Sequence, residues 1–154
     1  MSDNQTSIKH QAEKPPRSKF IPENIPEELR KMPRWIFWKW HFRGDKWTKP
    51  PVQANGKFAD STDPKTWCSF EEVEENVENF DGAGFCFGRD NSTKLIGIDL
   101  DNCVNRETGE IADWAMKIID HFDTYTEVSP SGEGVKLWLK GEAPPGSWSH
   151  QVGD

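Results

Sequence analysis

The stretch LIGIDLDNC, residues 95–103, ends an apolar run in two carboxylates one residue apart, Asp99 and Asp101. Leu95, Ile96 and Ile98 read as a buried strand, a setting that charges avoid unless they are paired or hold a metal. Side chains at i and i+2 of a strand share a face, roughly 6.5–7 Å apart along the chain. The two carboxylates are therefore expected to point together. Like charges so placed raise each other's pKa unless a cation lies between them. Mg2+ or Mn2+, which takes carboxylate oxygens together with phosphates and water, suits such a pair. A plainer reading stands beside it: Asp101-Asn102 opens a turn, and Asp99 caps a nearby backbone amide.

A second stretch, SPSGEGVKLWLKG (129–141), adds to the first. Its Ser-Gly-x-Gly turn, with Ser131, Gly132 and Gly134, offers hydroxyls and unhindered N–H groups that can form an anion-binding concavity. Lys136 follows on a strand able to lie beside the Asp99/Asp101 strand. Alone, this is an ordinary glycine hairpin with a solvated lysine. Together, two acids for a metal and a Gly/Ser/Lys cradle for phosphate describe a metal–triphosphate site. Catalysis there is mostly positioning and charge neutralisation.

The rest of the pattern sets the architecture. IPEELRKM (25–32) predicts a short helix ended by Pro33, and RWIFWKWHF (34–42) alternates as a strand with Ile36, Trp38, Trp40 and Phe42 on one face. RGDK (43–46) is a turn, and WTKPPV continues the hairpin until its prolines stop it. Phe70, Val73, Val77 and Phe80 form one helical stripe, with Ser69 as its N-cap. DGAG is expected to break that helix and FCFG to resume as a strand. IADWAMKIIDHF places Ile111, Trp114, Ala115, Ile118, Ile119 and Phe122 at helical spacing. TYTEVSP and VKLWLKG read as antiparallel strands about the SGEG turn. Hairpins with two longer helices predict an α+β fold, helices on one face of a mainly antiparallel sheet.

With 154 residues the chain suits one domain with a real core. The formal net charge of −7 excludes a generic basic nucleic-acid binder. The charge is unevenly spread. Glu71, Glu72, Glu74, Glu75, Glu78 and Asp81 crowd 71–81 without a base, whereas residues 30–57 hold Arg30, Lys31, Arg34, Lys39, Arg43, Lys46, Lys49 and Lys57 against Asp45 alone. Cys68, Cys86 and Cys103 lack a CxxC spacing and fit reduced, cytoplasmic thiols. No apolar run approaches a membrane span. Residues 1–20 read as a polar disordered leader without a signal-peptide core. The C-terminal GSWSHQVGD reads as loop, with no closing element.

Trp35, Phe37, Trp38, Trp40, Phe42 and Trp47 lie among those eight bases, and stacking rings interleaved with cations suit single-stranded nucleic acid. Strand alternation sends Trp38, Trp40 and Phe42 toward the core instead. Trp35, Lys39, Arg43 and Lys46 are then the nucleic-acid candidates, and Lys49, just before Pro50-Pro51, serves phosphate.

Taken in order, RWIFWKW, the Thr48–Pro51 segment, STDPKTWCSFEE, GAGFCFG, LIGIDLDNCVN and YTEVSPSGEGVKLWLKG resemble the N-terminal catalytic domain of bifunctional DNA primase-polymerases. These form the prim-pol branch of the archaeo-eukaryotic primase superfamily, found in phage and plasmid replication proteins. The resemblance runs from about Pro33 to Gly141 and implies an RRM-like core for a domain spanning residues 21–154. It implies that Asp99 and Asp101 hold catalytic Mg2+ or Mn2+, and that Ser131, Gly132 and Gly134 lie beside the triphosphate. Lys49 resembles the lysine of a K-x-P-type segment. The implied partners are nucleoside triphosphates and a DNA template, with a helicase domain in the intact protein.

Two departures accompany the resemblance. The second motif carries Lys136 where the family has histidine, which keeps a cation but not the neutral imidazole's acceptor. The family's third motif, with a further metal-binding acid, is expected beyond Asp154. The chain thus reads as a truncated portion, weak or inactive by itself. Two rival functions remain at this level: a non-catalytic single-stranded DNA-binding module using the Trp/Lys hairpin, and a metal-dependent phosphohydrolase using the same two aspartates.

Overall fold

The computed structural model describes residues 13–88 and 92–142. The first dozen residues of the expected leader, the middle of the turn before Leu95 and the C-terminal GSWSHQVGD lie outside the described residues. The α+β class and the antiparallel pairing hold. The strands fall into three separate sheets rather than one.

The first sheet runs β4–β1–β5, with β1 at Trp35–Trp38, β4 at Pro51–Val52 and β5 at Gly82–Phe85. Between β1 and β4, β2 (His41–Arg43) and β3 (Lys46–Thr48) form a hairpin of their own, turned through Gly44 at φ +69°. The expected single strand over 34–42 is thus two. Its first half is buried on both sides: Trp35, Ile36, Phe37 and Trp38 are all core residues. Alternation of one wet and one dry face does not apply to a strand covered twice. Trp40 and Phe42 are only half-buried.

Helix α1 spans Glu27–Arg30, and α2 spans Phe70–Asn76 before a 3-10 turn at Val77–Asn79. The Ser69 hydroxyl accepts from the Glu72 N–H at 3.3 Å, as an N-cap should. Phe70, Val73, Val77 and Phe80 all turn inward, and Phe80 stacks on Phe37 with centroids 4.2 Å apart. No helix among the described residues is long and apolar enough to cross a membrane.

The second three-stranded sheet runs β6–β8–β7: β6 at Leu95–Leu100, β7 at Thr126–Val128 and β8 at Val135–Lys140. Helix α3 (Asp113–Phe122) covers one face, where Leu100, Val135 and Leu137 pack with Cys103 and Ala115. Trp114 and Phe122, expected in that stripe, are 48% and 41% exposed. The other face turns Leu95 and Trp138 into the cluster of β1 and α2. Ring contacts of 5.1–5.9 Å run without a break from Phe20 through Phe70, Trp35 and Phe85 to Trp138. This aromatic chain ties the two sheets together.

Part of the polar leader is held to this body. The Ser18 N–H donates to the Asp81 carbonyl, Lys14 pairs with the Asp81 carboxylate at 2.9 Å, and the Trp40 indole donates to Pro16. Asp81 is 6% exposed and also accepts from the Trp40 N–H at 2.8 Å, so its buried charge is satisfied on two sides.

The helical run does end before DGAG, but the strand starts earlier than FCFG, with Gly82 and Gly84 inside β5. A Cβ at Gly82 would fall 2.4–2.7 Å from the Trp38 indole, whereas one at Gly84 would meet nothing within 4 Å. Gly82 is needed because Trp38 lies across it. Gly82→Ala should therefore destabilise the fold by about 1–3 kcal/mol, the usual range for overpacking. Gly84→Ala should leave stability nearly unchanged. Equal denaturant midpoints for the two variants would refute this account of β5.

Candidate active site

The sheet register brings three charged side chains into one row. Asp99 of β6 faces Lys136 of β8, and Lys136 faces Glu127 of β7. The Lys136 ammonium is 3.3 Å from Asp99 Oδ1. Asp99 therefore pairs with a side chain and does not cap an amide. Asp101, by contrast, has left the strand: β6 stops at Leu100, and Asp101-Asn102 form a turn with Asn102 at φ +53°. The expectation that both aspartates share a strand face is corrected here, since the pleat ends between them. Both remain exposed at the same end of the sheet.

Glu127 was not singled out from sequence. The signal was a carboxylate in the middle of TYTEVSP, opposite the lysine of VKLWLKG once the SGEG turn sets the register. Tyr125 Oη donates to Glu127 Oε2 at 3.0 Å. Burial pushes the Glu127 carboxyl above its ordinary range, more than Tyr125, Lys136 and the Trp138 indole pull it down, and Asp99 adds to the rise. The Trp138 indole N–H is itself buried without a well-formed hydrogen bond.

Lys49 lies in the loop between β3 and β4. Its ammonium stands 5.9 Å from the Trp38 ring and 5.8 Å from the Trp40 ring. Partial burial there lowers its pKa, Lys136 lowers it further, and Asp99 works against both. Lys49, Lys136 and Asp99 thus act on one another.

The glycine turn lies beside this row. The Ser129 N–H donates to the Gly134 carbonyl and the Gly132 N–H to the Ser129 carbonyl, each at 2.8 Å. The Ser129 and Ser131 hydroxyls are 2.8 Å apart, and they accept from the N–H groups of Gly134 and Glu133 at 3.2 and 3.3 Å. The amides of Gly132, Glu133 and Gly134 are thus engaged inside the loop, so an anion there must exchange with these bonds. Gly134 has a steric duty as well: a Cβ would sit 2.6 Å from the Leu100 carbonyl, directly before Asp101.

The nucleic-acid candidates separate. Trp35 is in the core, 5% exposed, with its indole donating to the Leu29 carbonyl and its ring edge-on to Phe70 and Phe85. It has no face to offer a base, which corrects its assignment to the surface. Lys39 lies over the Phe80 ring at 4.8 Å. Arg43 and Lys46 pair across the β2–β3 hairpin and are both exposed.

Comparison with known proteins now bears on this geometry. No protein-family model matches the chain. Over 117 residues, 75% of this chain, it is 31% identical to the DNA primase-polymerase of Nitratiruptor phage NrS-1. The likeness supports a primase-polymerase domain in this chain. The chain spans only 16% of the length of that phage relative.

For a prim-pol site the donor set is suitable in kind, being carboxylate without thiolate or imidazole, as Mg2+ and Mn2+ prefer. Among the described residues no group of three or more His, Cys, Asp or Glu side chains could hold a metal. Asp99 and Asp101 would supply a minority of the ligands, with phosphate oxygens and water completing the shell, as is usual for Mg2+.

Burial of Glu127 leads to a test. Because its folded pKa lies above the ordinary 4.5, the folded chain holds that proton more tightly than the unfolded chain. The resulting stability is fully present below the unfolded value and is lost as pH rises through the folded one. Glu127→Gln should therefore melt at a higher temperature than the natural chain at pH 7, with the gap closing as pH falls below about 4.5. A variant less stable at pH 7 than at pH 4, relative to the natural chain, would contradict it.

Proposed function

We propose that this chain binds a nucleoside triphosphate together with a divalent ion, as the nucleotide-handling part of a template-directed DNA primase-polymerase. The observation that carries the reading is the Lys136 ammonium 3.3 Å from Asp99 at the end of β6, where the Ser129–Gly134 turn packs so closely that a Cβ at Gly134 would meet the Leu100 carbonyl. Resemblance to the phage primase-polymerase supports the same assignment.

Each residue has a distinct task. Asp99 and Asp101 hold Mg2+ or Mn2+, which when bound neutralises phosphate charge and polarises the reacting oxygens. Lys136 and Lys49 are point charges for the triphosphate, and the indoles beside Lys49 reduce the hydration it must shed on binding. Ser129, Ser131, Gly132 and Gly134 form the phosphate side of the site. Glu127, held by Tyr125, keeps Lys136 centred in its row. The base and template side is formed by the hairpin with Arg43 and Lys46.

Calorimetric titration of a Mn2+–deoxynucleoside triphosphate complex tests this. The natural chain should bind it, Asp99→Asn/Asp101→Asn should not, and Lys49→Gln should bind roughly ten- to a hundredfold more weakly, the loss expected for one charge-assisted contact. Full binding by the double aspartate variant would end the proposal.

A second reading, a non-catalytic single-stranded DNA module, draws on the exposed Arg43–Lys46 pair alone. It expects DNA binding that falls steeply with salt, is indifferent to EDTA and is lost in Arg43→Glu/Lys46→Glu. Binding that survives that double change would exclude the hairpin as the contact.

A further inference from the structure

Lys136 occupies the position that a metal at Asp99 would need. Its ammonium sits 3.3 Å from Asp99 Oδ1, and the residue lies between Asp99 and Glu127 in the strand register. The lysine side chain is only 33% exposed, so the pair is partly shielded from water, and Lys49 acts on Asp99 as well. A divalent ion approaching alone meets a carboxylate already neutralised by one cation and faced by a second. It also finds no cluster of three protein ligands among the described residues to outweigh them. A metal bound mainly by phosphate oxygens and water is instead the usual state of Mg2+ in nucleotide sites.

We propose that Lys136 bars a divalent ion from Asp99 until a triphosphate is present, so that metal and nucleotide enter as a pair. The incoming phosphates offer the ammonium a stronger anionic partner than a single exposed carboxylate. Lys136 turns to them, and Asp99 is released to the metal that the phosphates bring. The inference rests on the nucleotide-site reading above and adds an order of binding to it. It makes Lys136 a specificity-determining residue: the site discriminates against free metal and against metal-free nucleotide, and accepts the complex.

Three titrations of the full chain test it: Mn2+ alone, followed by electron paramagnetic resonance, and metal-free dTTP and preformed Mn2+–dTTP, both by calorimetry. The variants are Lys136→Gln, Lys136→Met and Asp99→Asn, with circular dichroism melts to confirm folding. The natural chain should bind Mn2+ alone weakly and the complex well. Both Lys136 variants should bind Mn2+ alone about tenfold more tightly, the effect of removing one adjacent positive charge in a partly solvated site, and should bind the complex less well. Asp99→Asn should remove the metal response in every case. If both folded Lys136 variants bind Mn2+ alone no more tightly than the natural chain, while that chain still takes up Mn2+–dTTP through Asp99, the barrier is overturned and the nucleotide site stands. If neither the natural chain nor the Lys136 variants bind Mn2+ with or without dTTP, the nucleotide-site reading fails and this inference fails with it.

Discussion

A lysine seated between two carboxylates on three adjacent strands is the constraint on which the rest of the molecule turns. β8 alternates strictly: Val135 and Leu137 enter the core under α3, while Lys136 and Trp138 face the opposite way. A slip of one residue in its pairing would drive Lys136 into that apolar core and expose Leu137, which is fully buried. The register that builds the hydrophobic core is therefore the register that builds the charged row. Neither can be altered without the other, and the row inherits the rigidity of the sheet.

The second support is aromatic. Phe87 stacks on Trp138 at 4.8 Å, and it lies so close to β6 that a Cβ at Gly97 would be 2.9 Å from its ring. Trp138 then contacts Tyr125, whose hydroxyl holds Glu127. A continuous path of rings thus leads from the shared core to the polar end of the sheet. Its consequence is electrostatic as much as steric. The rings remove water from one side of Glu127 and raise its pKa, while Asp99, at the other end of the row, remains open to solvent. Two carboxylates flanking one lysine are made unequal by what lies behind them.

Much of this was legible in the sequence where one physical signal dominated. The helical stripe of Phe70, Val73, Val77 and Phe80 with its Ser69 cap, the antiparallel return of VKLWLKG and the placing of Lys136 on a strand beside that of Asp99 all came from spacing and turn chemistry. The failures share a cause: burial from a direction that the local pattern does not encode. Trp35 reads as a surface ring because its neighbours alternate, but β1 is covered on both faces. Gly82 reads only as part of a helix-ending segment, but it also opens β5 and leaves room for Trp38. Glu127 reads as an ordinary strand polar residue because nothing local says that Lys136 will stand beside it. Asp101 reads as a strand residue because the pleat gives no warning of where it ends.

The charge balance of the assembled site shows why the pieces belong together. Lys49 and Lys136 contribute two positive charges, and Asp99, Asp101 and Glu127 contribute three negative ones when all are ionised. The sum is −1. Such a site is no general trap for anions, and the chain's net charge of −7 gives a polyanion no long-range attraction either. A triphosphate can be accepted there only if it arrives with positive charge of its own or displaces the carboxylates from their lysines. In the proposed site a metal-bound nucleotide would meet both conditions at once, its ion going to the aspartates and its phosphates to the ammoniums. Under the proposed function the near-neutral sum would act as a selectivity device, with Asp99 repelling bare phosphate and Lys136 repelling bare metal.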